Sequence, residues 1–160
     1  MNNRYVTRAG KLARIIVSRI LPGSDLLQSI KDIIAEEEIK YGLIISAVGA
    51  VEKVRIRNLE EVPEEYPITD ANRDFRTIDK ACEMLTLAGD IYQVEGKNLS
   101  QVHIHGTFSF VEDEKAHTVG GHLLEGCIVV GFAEVYIMEL VGIEMIKRFD
   151  EETQTSQLFV

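Results

Sequence analysis

The sequence predicts an α+β fold: a curled antiparallel or mixed β-sheet with one principal helix packed on it. Two patterns predict it. Only residues 24–40 repeat apolar side chains at helical spacing. Nearly every other apolar segment reads as a short strand, by alternation or by a continuous run. Size bounds the answer: 160 residues, 46% hydrophobic, suit one unit with a sizeable core, so residues 1–160 are expected to form a single domain.

Leu12 to Leu21 reads as the first strand, with Ile15, Val17 and Arg19 on one side and Arg14, Ile16, Ser18 and Ile20 on the other. Pro22-Gly23 ends it. Ser24 or Asp25 can cap the helix that follows, because each offers an oxygen to a free backbone N–H. Leu26, Leu27, Ile30, Ile33 and Ile34 form its apolar stripe, and Gly42 suits a left-handed cap at its end.

Leu43 to Val48 is a buried-strand run closed by Gly49-Ala50. Lys53, Arg55 and Arg57 alternate with Val54 and Ile56, as in a half-exposed strand. Residues 60–80 are polar, carry Pro63 and Pro67, and are expected to form a long connection that is functional, partner-facing or mobile. Strands are expected over residues 83–88, 89–94, 101–110, 128–140 and 144–149. Residues 95–98 and 112–115 read as turns. Ile128 to Leu140 does not alternate with polar residues, so both its faces must be covered. One helix is too little for that, which predicts a homo-oligomer.

Composition excludes several classes. No apolar run is long enough to span a membrane, and the first 21 residues lack the continuous apolar block of a signal peptide. The expectation is a cytoplasmic protein with Cys82 and Cys127 buried and reduced. The net charge of -9 argues against a free-standing DNA binder. Arg4, Arg8, Lys11, Arg14 and Arg19 nevertheless make the start of the chain locally basic, which reads as a solvated strand face.

The chemistry-bearing residues are histidines. His103 and His105 are two apart on one strand and project together. His122, behind Gly120-Gly121, is expected to arrive from a tightly turning loop. Three imidazoles can make three corners of an open zinc site whose fourth position takes water or a ligand. His117 is expected in a polar turn, facing solvent or at most supporting the ligands. If the ion activates water, a carboxylate base is needed, and Glu125 and Glu83 are the candidates. If the open corner takes a ligand, Arg55 or Arg57 could assist a carboxylate or phosphate. No phosphate loop, dinucleotide fingerprint, nucleophile elbow or CxxC pair is present.

Pro22-Gly-Ser-Asp-Leu-Leu27, Glu83-Met-Leu-Thr-Leu-Ala-Gly89, the His103/His105 pair and Gly120-Gly-His-Leu-Leu-Glu-Gly126 occur in one order. In these segments, and over roughly residues 5–149, the chain resembles the plant and prokaryote conserved (PPC) domain. The resemblance implies a trimer-forming α+β fold and a metal held by His103, His105 and His122. It also implies a DNA-binding or transcription-related role. The chain has no Arg-Gly-Arg AT-hook, the element that grips the minor groove in the plant members.

Three roles follow. The first is a metal-stabilised binding or regulatory module that contacts a partner protein or DNA. The second is a zinc-dependent hydrolase or lyase acting on a small molecule. The third is a small-molecule sensor with its ligand at the metal.

Overall fold

The structure is a computed structural model that describes residues 5–160; Arg4 lies outside the described residues. Ten strands and one α-helix follow in the order β1 (Lys11–Ile20), α1 (Leu26–Glu36), β2 (Gly42–Val51), β3 (Val54–Leu59), β4 (Arg73–Ile78), β5 (Cys82–Val94), β6 (Ser100–Glu112), β7 (Lys115–Leu123), β8 (Val129–Val141), β9 (Ile146–Asp150) and β10 (Thr155–Phe159). The sheet is open and almost wholly antiparallel, ordered β1-β8-β2-β5-β6-β7-β3-β4. The β9–β10 hairpin joins it through a short parallel pairing with the end of β5. No helix among the described residues is long and apolar enough to cross a membrane.

Helix α1 forms where its stripe requires. Leu26, Ile30 and Ile34 are fully buried. They pack on Ile44, Ile56, Leu87, Ile91, Ile104, Phe108, Leu123 and Ile137 from one face of the sheet. Asp25 caps it, accepting from the Gln28 amide at 2.9 Å. The end differs from expectation. Glu38, not Gly42, takes the left-handed conformation (φ 53°). The Ile39 and Glu38 amides donate back to Ile34 and Ala35, the paired bonds of a Schellman ending. Gly42 instead opens β2, where a Cβ would lie 2.5 Å from the Met138 carbonyl oxygen.

Other boundaries also move. Residues 83–94 form one strand rather than two, and Gly49 lies inside β2 at a register shift rather than ending it. Residues 60–80 are less irregular than expected. They contain a 3₁₀ turn at Asp70–Asn72 and the edge strand β4. The turn is closed by the buried Asn72, whose Oδ1 accepts from the Thr69 amide at 3.0 Å. Cys82 and Cys127 are buried and unpaired, as the sequence suggests.

The second face of the sheet carries the features of interest. Directly paired residues of an antiparallel sheet point the same way. Ile15 pairs Met138, Met138 pairs Leu43, Leu43 pairs Asp90 and Asp90 pairs His103. One row thus runs from an apolar patch on β1, β8 and β2 to the histidine strand. Within that patch Val17 is 62% exposed, and Phe132 of β8 is 47% exposed.

Candidate metal centre

The histidines converge by sheet register. His103 and His105 lie on β6, and their neighbour Ile104 is buried on the opposite face. β7 returns from β6 through Asp113 and Glu114, both left-handed (φ 48° and 59°), the conformation of a two-residue hairpin turn matched to strand twist. The register runs unbroken from Glu112↔Lys115 to His105↔His122. His122 is therefore a strand residue directly opposite His105, not a loop residue. Gly120 and Gly121 do not turn the chain. At Gly121 a Cβ would lie 2.8 Å from the Arg57 carbonyl oxygen and 2.7 Å from Asn58 Oδ1, so this glycine admits β3 alongside β7.

The ring centroids stand 5.0 Å (His103–His105), 4.9 Å (His103–His122) and 5.5 Å (His105–His122) apart. One ring nitrogen from each lies within 4.8 Å of the others, and the Nε2 atoms of His103 and His105 are 3.1 Å apart. A tetrahedral ion with bonds of about 2.0 Å spaces its ligands about 3.3 Å apart. The His103–His105 pair stands near that spacing, and the His122 nitrogen lies within 4.8 Å of both.

Electrostatics favour the neutral, ligating form of two of these imidazoles, His122 and His103. Burial, aided by the Arg57 charge and the other two histidines, pushes His122 down to about 4. Burial and the Lys147 charge lower His103, while Asp90 opposes them. Neutral imidazole is the form that binds a metal. Asp90 Oδ1 stands 3.7 Å from His103 Nδ1, where a small movement gives the carboxylate support that orients a ligating ring.

The cavity over the trio, about 220 Å³, is also lined by Arg57, Arg73, Leu59 and Ile68. Ile68 brings the 60–80 segment to the site. Arg57 is the cross-strand partner of His122. Arg55 is turned elsewhere and donates to the Glu125 carbonyl at 2.9 Å. Asp90, Arg73 and Lys147 have no sequence signal, because only the pairing of distant strands brings them to the trio.

Of the carboxylates singled out as bases, Glu125 lines a cavity that His122 also lines, whereas Glu83 lies away from the trio. Glu125 Oε1 lies 2.6 Å from Lys31 Nζ on α1, and that contact lowers its pKa. Glu83 is paired with Ser109, five residues along β5 from the Ala88–His105 pair, or about 17 Å of strand. His117 is exposed on β7, stacked on Phe110 with centroids 5.4 Å apart and away from the trio; it is a strand residue, not a turn residue.

Residues 7–141 match the Plants and Prokaryotes Conserved (PCC) domain. The chain is 26% identical over 147 residues, 92% of its length, to bifunctional protein GlmU of Synechococcus sp. (strain JA-3-3Ab), and spans only 20% of that relative. Among solved structures, a metal-containing protein of Archaeoglobus fulgidus superimposes with TM-score 0.75 at 23% identity, covering 98% of this chain and 100% of that one. A plant- and prokaryote-conserved protein of Pyrococcus horikoshii gives 0.72 at 22% identity, covering 98% and 99%. The strand order, the single helix and the matched residues together make this chain a member of the Plants and Prokaryotes Conserved domain family.

Proposed function

We propose that the protein is a zinc-binding homotrimer of the cytoplasm, acting as a binding or regulatory module through an open metal position. The convergence of three imidazoles on one point carries this reading. An all-imidazole set is a common choice for zinc, and a structural relative is itself a metal-containing protein. The exposed apolar residues of β1, β8 and β2 support self-association. Binding stands ahead of catalysis because the Glu125 carboxylate is paired with Lys31 and Glu83 lies well along its strand from the trio.

A zinc-dependent hydrolase or lyase acting on a small molecule is the second reading, favoured by the cavity over the open corner. DNA is a weaker partner than a regulatory protein or small ligand. The net charge is -9, Arg14 is tied to Glu37 and Glu139, and β1 and β3 lie far apart in the strand order.

The test is titration of the metal-free protein with zinc, with sedimentation equilibrium on the same samples. The reading expects one zinc per chain and a mass of three chains. A monomer that takes up no zinc would contradict it. Chelator-sensitive hydrolysis of generic ester, phosphoester or lactone substrates would favour the enzyme. A salt-dependent mobility shift on duplex DNA would restore the DNA role.

A further inference from the structure

We infer that the ligand taken beside the trio is a small oxyanion, a carboxylate or a phosphate, gripped by Arg57. This rests on the metal reading and names what the site binds.

Two cations line the cavity, Arg57 on β3 and Arg73 on β4, and the charge of a third, Lys147 on β9, reaches His103 and His122. Arg73 is already engaged, 2.7 Å from Asp70. Lys147 is half-buried, its Nζ 4.0 Å from the Tyr92 ring centroid, and its charge is felt at both His103 and His122. Arg57 differs from both. It is half-buried beside His122, and among the described residues its guanidinium has no carboxylate within 4.0 Å and donates no hydrogen bond. A partly buried guanidinium with its donors free, facing a cavity, is a preformed fork for an oxyanion.

The charge balance agrees. Two carboxylates lie near these cations: Asp90, 3.7 Å from His103, and Asp70, which pairs with Arg73 and is also felt at Arg57. Set against these two carboxylates, the three cations leave one net positive charge, which a divalent ion on the trio would raise to three. A strongly positive mouth on a chain of net charge -9 selects an anion against neutral molecules. The cavity, about 220 Å³, has room for a short organic acid or inorganic phosphate. Leu59 and Ile68 give a short apolar tail a place to rest.

The experiment uses cobalt(II)-substituted protein, whose visible spectrum reports the fourth ligand. Metal content is measured first in the wild type, Arg57→Ala and Arg57→Lys. Acetate, lactate, inorganic phosphate and uncharged acetamide are then titrated at fixed ionic strength. The inference expects full metal loading in all three proteins and saturable spectral shifts with at least one anion, none with acetamide. The anion affinity should fall about tenfold or more in Arg57→Ala and less in Arg57→Lys. Response to the organic acids alone assigns a carboxylate, and to phosphate alone a phosphate. Equal anion affinity in wild type and Arg57→Ala, or no anion response in metal-loaded wild type, would overturn the inference and leave the metal reading standing. Wild type that takes up no cobalt would overturn both.

Discussion

Asp25 and Gly126 are joined across 101 residues of chain: one carboxylate oxygen of Asp25 caps α1 at Gln28, and the other accepts the Gly126 amide. Two segments that look unrelated in the sequence, Pro22–Leu27 and Gly120–Gly126, are thereby one structural unit. Gly126 has φ 98°, and a Cβ there would lie 2.6 Å from Arg55 Cδ. The clamp fixes the chain just beyond His122 against the start of the helix.

Asp25→Ala removes a cap worth about 1 kcal/mol and leaves the Gly126 amide without its partner, which adds about 1–3 kcal/mol. Chemical denaturation should therefore show a loss of about 2–4 kcal/mol with the far-UV spectrum unchanged. A loss under 0.5 kcal/mol would mean that water replaces the carboxylate at both amides.

Gly121→Ala tests why glycine precedes His122. The added methyl meets the Arg57 carbonyl, so β3 must move away from β7. Zinc affinity should fall at least tenfold, because His122 and Arg57 share that pairing. The core on the opposite face should persist, with thermal unfolding still cooperative. Unchanged zinc affinity in a folded variant would show that the β3–β7 contact does not position His122.

The apolar patch gives a third prediction. Phe132→Glu and Val17→Glu place charge on exposed positions of β8 and β1, so the single chain should fold. If this face self-associates, both variants should sediment as smaller species than the wild type. An unaltered mass would move the interface elsewhere.

Acid should weaken the metal-free protein through His122. Its folded pKa is about 4, below the ordinary 6.5. Between those values the unfolded chain binds a proton that the folded chain refuses. Stability from this group is complete above about pH 6.5 and is lost as pH falls towards 4. Melting temperatures of wild type and His122→Asn, compared from pH 7 to 4.5, isolate the effect from the carboxylates. The wild type should lose more stability than the variant. Parallel curves would mean that His122 titrates normally.

Much of this was legible in the sequence because it rests on local periodicity. The helix follows from Leu26, Ile30 and Ile34, and the His103/His105 pair from the two-residue repeat of a strand. β7 was not legible. Lys115–Leu123 carries few β-branched or aromatic residues and two glycines, and its pairing depends on left-handed Asp113 and Glu114, residues that more often sit elsewhere. β4 lies at the sheet edge and shows no clean apolar alternation. Arg73 reaches the cavity, and Asp90 and Lys147 reach His103, only through register between distant strands, which tertiary packing sets. Glu125 follows His122 closely in the chain, yet its carboxylate pairs with Lys31 of the helix, a contact that the sequence does not signal.

Metal analysis of the purified protein beside His103→Ala, His105→Ala and His122→Ala tests the central claim most directly. The account predicts one zinc per chain in the wild type and a substoichiometric amount in each variant, with folding retained. Wild type free of metal after gentle purification and zinc challenge, or variants that keep a full equivalent, would contradict it.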